Sequence, residues 1–127
     1  MPIQLRKMII NNKEYLQFQY TYYNKLVGTL EITPYERDAT GIVGVNLKSI
    51  YTDPVYRGKG YASKLMMALI DYCRKNGISY IITDDATDAP RLRNIYFKFG
   101  FLVKNDDDKW VKWTDDIIPD EERLLFV

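Results

Sequence analysis

The spacing of apolar residues changes near the middle of the chain. From Ile3 to Thr52, aromatic, β-branched and aliphatic residues come in short runs separated by polar turns. Residues 3–10 read as a strand, Asn11-Asn12-Lys13 as a turn, and 14–23 as a second strand rich in Tyr, Phe, Leu and Thr. Asn24-Lys25 is the next turn and 26–33 a third strand. Residues 34–41 read as a polar loop, and 42–52 as a long fourth strand stopped by Asp53-Pro54. This half predicts an antiparallel meander without a helix. Past Arg57 the period becomes helical. Ala62, Leu65, Met66, Ala68, Leu69, Ile70, Tyr72 and Cys73 make one wide apolar face, with Lys64, Asp71, Arg74 and Lys75 outside it. Asn76-Gly77 ends that helix, the glycine suiting the left-handed position past its end. Residues 78–83 form a short apolar run that reads as a buried strand. Thr87 or Asp88 caps a second helix, with Pro90 in its first turn, and that helix ends at Gly100. Phe101–Val103 and Lys109–Trp113 close the pattern as a hairpin across residues 105–108.

A strand–helix–strand unit over 42–83 is a right-handed crossover that leaves its strands parallel. Added to the meander, it predicts an α+β, sandwich-like fold: a mixed, mostly antiparallel sheet of about seven strands with two main helices. The chain of 127 residues fits one domain, 1–127, with 114–127 as an acidic extension. Residues 1–100 hold 14 basic and 9 acidic side chains, and 101–127 hold 4 basic and 8 acidic. That basic surplus is too thin for a nucleic-acid surface and compatible with a polyanionic ligand. No apolar run approaches the ~20 residues of a membrane span. No signal peptide is read at the start, and a single cysteine, Cys73, suits a reducing compartment, so a cytoplasmic location is expected. Histidine is absent. That removes Ser-His and Cys-His dyads and most metal sites, and no metal is expected.

The most informative run is Arg57-Gly58-Lys59-Gly60-Tyr61-Ala62, between an apolar strand and an amphipathic helix. Two glycines at such a turn let the backbone present several N–H groups to a ligand, and the helix adds the positive end of its dipole. This is a phosphate cradle at the carboxyl end of a strand, where α/β sheets place ligands. It is not a nucleoside-triphosphate P-loop, because Gly-x-x-x-x-Gly-Lys-Ser/Thr is absent.

From about Leu47 to Trp113 the chain resembles the GNAT acetyltransferase superfamily. The resemblance rests on Arg57, Gly60 and Ala62 of the phosphate-loop pattern, on Tyr96-x-Lys98-x-Gly100-Phe101, and on the one helix and one strand between them. It implies acetyl-CoA as acetyl donor. The loop Arg57, Gly58, Lys59, Gly60, Tyr61, Ala62 and Ser63 would hold the pyrophosphate. Ile50, Tyr51 and Thr52 would pair their backbone with the pantetheine arm. Lys59 and Lys64 would neutralise phosphate charge, while Arg57 either contacts the ligand or braces the loop. The family uses the tyrosine of the second motif, here Tyr96, as general acid to the leaving thiolate, and a phenol of pKa ~10 is competent for that. With no histidine, a carboxylate or an ordered water is left as the base; the glutamate base that some members carry twelve residues before that tyrosine falls here on Asp84, with Asp85 and Asp88 nearby. The implied reaction is N-acetylation of a primary amine, expected to be cationic: a lysine or N-terminus of a protein, a polyamine or another small molecule.

Three departures accompany the resemblance. Ala89 stands where the family often has an asparagine that binds the pantetheine. Only Asn11–Lys13 separates the first two strands, where many members insert two helices that wall the acceptor site. The strand 42–52 lacks the glutamate of histone-type members. These departures motivate an alternative, a CoA-binding regulatory or assembly module that transfers nothing. The apolar terminus 124–127 would cover the sheet of its own chain or of a second copy, the latter making a homodimer.

Overall fold

Two pairs of turn residues set up the meander. Strands β1 (Ile3–Ile10) and β2 (Lys13–Tyr22) are joined by Asn11 and Asn12, both left-handed with φ of 51° and 64°. Tyr23 and Asn24, with φ of 49° and 62°, do the same between β2 and β3 (Lys25–Arg37). Two consecutive left-handed residues make a hairpin turn whose twist matches that of the strands, and asparagine tolerates this conformation best. The tight β1–β2 turn leaves no room for an insertion, so no helices separate these strands. This computed structural model describes residues 3–37, 39–83, 90–101, 103–104 and 109–114.

Strand β3 runs further than its sequence suggests. Residues 34–37, read above as the start of a polar loop, stay in the sheet: Glu36 pairs with Gly44 and Arg37 with Val43 of β4 (Val43–Thr52). The ladder shifts between Thr33 and Glu36, and this irregularity accommodates Pro34, which has no N–H to give. After a short turn over Pro54–Tyr56 come α1 (Tyr61–Lys75), β5 (Tyr80–Thr83), α2 (Pro90–Lys98), β6 (Val103–Lys104) and β7 (Trp110–Trp113). Helix α2 stops at Lys98. Gly100, at φ 91°, carries the chain past its end while the Phe101 N–H donates to the Tyr96 carbonyl at 2.9 Å. Phe101 itself belongs to the core, and β6 begins only at Val103 rather than at Phe101. The expected caps Thr87 and Asp88 lie outside the described residues, as does the segment 115–127.

The seven strands form one sheet in the order β1-β2-β3-β4-β5-β7-β6, with β4 and β5 parallel and the other pairs antiparallel. Both crossovers, β4-α1-β5 and β5-α2-β6, step towards the same edge. Right-handed connections therefore place both helices on one face. The contacts agree. Lys98 Nζ of α2 lies 3.1 Å from Ser63 Oγ of α1, and Tyr96 and Phe101 share a buried cluster with Leu65, Met66 and Leu69. Against that face β2, β3 and β4 turn Phe18, Leu30, Ile32, Val45 and Leu47, all buried. Each such side chain contributes roughly 1.5–3 kcal/mol on leaving water.

The other face carries no helix among the described residues. Following the register, one row across it reads Arg6, Gln17, Glu31, Ser49, and the next Gln4, Gln19, Thr29, Tyr51. The sheet is thus apolar towards its helices and polar away from them. At Gly44 the Tyr80 ring fills the place of a side chain: a Cβ there would lie 2.3 Å from two ring atoms. Tyr80 also meets Trp113 edge-on at 5.6 Å.

Two outcomes follow from this packing. Gly44→Ala is expected to destabilise the fold by about 1–3 kcal/mol in denaturant unfolding, because the new methyl overlaps the Tyr80 ring. Removing the ring with Tyr80→Ala in the same chain should recover part of that loss, and a Gly44→Ala variant as stable as wild type would contradict the packing. Cys73 is fully buried, and burial pushes its thiol up to about 12. At pH 8 a thiol reagent should leave native protein unlabelled and modify denatured protein fully; rapid native labelling would contradict this placement.

Candidate active site

The site grows from a split in the sheet. Strand β4 has ten residues, but its parallel ladder with β5 covers only Gly44↔Tyr80 to Leu47↔Thr83. From Lys48 to Thr52 no described strand pairs with β4 on that side, although β3 still pairs on the other. The Asp53 N–H donates to the Val27 carbonyl at 2.8 Å. Antiparallel pairing alternates, so Thr52 and Ile50 turn their N–H and C=O groups towards the split. Unpaired backbone groups at a strand edge are ready to pair with another extended chain.

The phosphate-loop candidates stand at the mouth of the split. Gly58 and Gly60 have φ of 79° and 85°, a conformation that any side chain would strain. Gly60 also caps α1, and the first helical bond runs from the Lys64 N–H to the Gly60 carbonyl at 3.1 Å. No side chain caps this end. The N–H groups of Tyr61, Ala62 and Ser63 are therefore not consumed inside the helix, and the dipole adds positive potential where they point. Lys98 at Ser63 brings a full positive charge to the same turn. A cavity of about 290 Å³ opens here, lined by Arg57, Gly58, Gly60, Ala62, Ser63 and, from α2, Asn94 among others.

A second cavity of about 250 Å³ adjoins it and shares Thr52, Arg57, Arg91 and Ile95 with it. Ile50, Tyr51 and Thr52 form one wall, and Arg91, Leu92 and Ile95 of α2 the other. The free edge of β4 thus faces a channel that leads from the loop into the split. Arg57 braces this entrance. Its Nε donates to the Thr52 carbonyl at 3.0 Å, and its guanidinium lies 5.8 Å from the Tyr51 ring centre. The Arg91, Asn94 and Ile95 contribution was not singled out from sequence, although their spacing of three and four residues places them on one face of α2.

Tyr96 sits where the two strands part. It is 5% exposed, its ring 5.3 Å from that of Phe101. Its hydroxyl lies 3.3 Å from Thr83 Oγ1, which in turn is 3.3 Å from the Leu47 carbonyl. Thr83 and Leu47 form the last described rung of the β4–β5 ladder. The phenol is therefore tied to the apex of the split, next to Ile95 in the channel wall.

The structure does not bring every candidate together. Lys64 Nζ lies 3.4 Å from the Tyr20 hydroxyl and over the Tyr20 and Tyr61 rings, lining a different groove towards β1. Lys59 lies over Tyr56, 5.6 Å from its centre, and lines neither cavity. Tyr61 is itself buried among tyrosines, so only its backbone serves the loop. Asp84, Asp85, Asp88 and Ala89 lie outside the described residues. Among the described residues no three His, Cys, Asp or Glu side chains gather as for a metal ion, and no helix is long and apolar enough to cross a membrane.

Comparison with known proteins supports the same architecture. The chain resembles the structure of Ard1 from Thermoplasma volcanium at 20% identity, with a TM-score of 0.65 over 76% of this chain and 69% of that one. PaiA N-acetyltransferase from Thermoplasma acidophilum, solved in complex with coenzyme A, is 18% identical, with a TM-score of 0.63 over 76% of this chain and 58% of that one. A GNAT-family acetyltransferase from Staphylococcus aureus Mu50 is 18% identical, with a TM-score of 0.64 over 80% of this chain and 68% of that one. The chain thus spans 58% of the PaiA structure's length and just over two thirds of the other two. No curated protein sequence matches it. The family model described as the acetyltransferase (GNAT) family matches residues 2–101, most of the chain, and with the split sheet and its glycine loop this establishes that the chain belongs to the GNAT acetyltransferase family.

Proposed function

We propose that this protein transfers the acetyl group of acetyl-CoA to a primary amine by direct attack of the amine on the thioester. The observation that carries this reading is the split between β4 and β5, which has a glycine loop at its mouth and a buried tyrosine hydroxyl at its apex. The thioester supplies an activated acetyl group and a thiolate leaving group. The protein's part is to hold, align and protonate. The N–H groups at the start of α1 and the loop backbone from Arg57 to Ser63 receive the pyrophosphate, with Lys98 adding charge. The Ile50 and Thr52 backbone groups pair with pantetheine amides in the channel. Arg57 already occupies the Thr52 carbonyl, so we assign it a bracing role, leaving the Thr52 N–H and both polar groups of Ile50 for the ligand.

In this reading the Tyr96 hydroxyl stands beside the sulfur and gives its proton to the departing thiolate, contributing on the order of 10²–10⁴-fold. Thr83 fixes where that oxygen lies. Asp84, the next residue after Thr83, is the candidate base for the amine. Aligning the two reactants within one cleft contributes the larger share of the rate. A relative solved with coenzyme A supports the cofactor. A second, described as a ribosomal-protein-alanine N-acetyltransferase, makes protein amines reasonable acceptors here. We place the protein in the cytoplasm, where its buried thiol stays reduced. The tight β1–β2 turn inserts no helix to wall the acceptor side, which carries none among the described residues, and that observation favours the second reading, a CoA-binding module without transfer.

Three measurements decide between these readings. Acetyl-CoA should bind in the micromolar range by calorimetry, and Gly60→Val should weaken it at least ~10-fold, since φ of 85° penalises a β-branched residue; unaltered affinity would remove the loop from the site. Tyr96→Phe should lower kcat by roughly 10²-fold or more on any amine that wild type acetylates, with acetyl-CoA affinity nearly intact. Thr83→Val should lower kcat less, by about 10-fold, by loosening the phenol. Full activity of Tyr96→Phe would eliminate the acid role, and inactivity of wild type across a panel of amines would leave the module that binds without transfer.

A further inference from the structure

The helix-free face of the sheet holds one described carboxylate beside the split, that of Glu31. In the row Arg6, Gln17, Glu31, Ser49, it is the β3 member, and its β4 partner Ser49 lies two residues past Leu47, beyond the last described rung with β5. The face is fixed by alternation. Leu30 and Ile32 turn to the helices, so Glu31 turns away from them. Its partner position is also adjacent to Ile50, which lines the channel from the helix side.

This carboxylate is held, not loose. Gln17 Nε2 donates to Glu31 Oε1 at 2.8 Å, and Gln19 Nε2 donates to Gln17 Oε1 at 2.6 Å. Gln17 is only 8% exposed although no described helix covers it. The chain Gln19–Gln17–Glu31 fixes one oxygen, and Oε2 has no hydrogen-bond partner among the described residues. The nearby cations do not neutralise it: Arg6 at the start of the row and Lys48, the extra residue where the β3–β4 register shifts, form no ion pair with it.

We propose that Glu31 is the acceptor-binding carboxylate: it receives a cationic primary amine on the open face and holds it at the split, opposite the channel. The inference rests on the acetyltransferase reading above for its chemistry, and on the sheet register for its geometry. The two helices close one face, so an acceptor reaches the apex from the other. The Leu47↔Thr83 rung is the last described one between β4 and β5, and Ser49, the β4 partner of Glu31, lies two residues beyond it. A preoriented carboxylate with a spare oxygen selects an ammonium over a neutral group. With no helical wall, the rest of the acceptor lies across rows of Gln, Thr and Ser, which accept an extended polar chain more readily than a compact apolar ring.

The test uses the intact chain saturated with CoA, so that binding is read without turnover. Spermidine and a lysine peptide with blocked ends are the two probes, titrated by calorimetry and by backbone amide shifts. Wild type should bind at least one of them, with shifts centred on Gln17, Glu31 and Ser49. Glu31→Gln keeps the size and the contact with Gln17, and should weaken that probe by about 10-fold or more, with CoA affinity and unfolding midpoint unchanged. Equal probe affinity in wild type and Glu31→Gln overturns the proposal, as does failure of both probes to bind wild type. Glu31-dependent binding in a protein that acetylates neither probe upholds the proposal and counts against the acetyltransferase reading alone. Where turnover is seen, Glu31→Gln should raise KM for the charged amine and leave KM for acetyl-CoA unchanged.

Discussion

The fold turns on one short ladder. All four residues of β5 pair with β4, and every further N–H or C=O of β4 left unpaired inside the sheet is a backbone group in search of a partner. Here β4 continues five residues past its last described rung with β5, still paired with β3 on its other side. Those exposed edge groups are not at the rim of the sheet, where water would satisfy them freely. They open onto a channel walled by α2. A site of that kind is complementary to an extended chain carrying amides of its own, and poorly complementary to a compact ligand. On the proposed reading, the loop at one end and the phenol at the other measure that chain: charge binds at the mouth, and the reacting atom lies at the apex.

Both ends are held by side-chain hydrogen bonds. At the mouth, Arg57 reaches back five residues to the Thr52 carbonyl, which ties the loop to the strand that feeds it. At the apex, Thr83 joins Tyr96 to Leu47, three elements meeting through one hydroxyl. The glycines between these ties adopt left-handed angles that other residues resist, so the loop's shape is built into its backbone. A preformed cradle of this kind loses little entropy when an anion enters.

Features set by short-range chemistry were legible in the sequence. The asparagine turns, the amphipathic face of α1, the glycine loop and the order of helix and strand all follow from residues close together in the chain. The extent of β3 was not, because Pro34 reads as a breaker while a register shift keeps its neighbours paired with β4. The Lys64 side chain also went elsewhere, drawn to the rings of Tyr20 and Tyr61 rather than to the loop. Helix periodicity placed it outside the apolar face and carried no information on which tyrosines lie beside it. The Thr83 tether depends on partners 13 and 36 residues away, and no local pattern announces such a contact. Glu31 was hidden for a related reason. In the sequence it is one polar residue between two apolar ones, and only the register shows that its row crosses the sheet to the split.

The two faces of the sheet divide the work. Both crossovers in the second half move the same way, so right-handedness stacks both helices on one side, and among the described residues the other side carries none. On the helix side the core residues and α2 enclose a channel whose recognition is mostly through backbone, which any sequence with this fold can supply. On the helix-free side recognition has to come from side chains, and there Gln17, Glu31 and Ser49 share one row. On the reading proposed above, donor binding is a property of the architecture, and acceptor choice a property of a few polar residues on β2 and β3. Strands β2 and β3 can change those residues without disturbing the core, because the side chains packed against α1 are the alternate ones. The tight asparagine turn between β1 and β2 fits this division: it excludes helices inserted between those strands, and on the proposed reading one oriented carboxylate then decides what the split meets from that side.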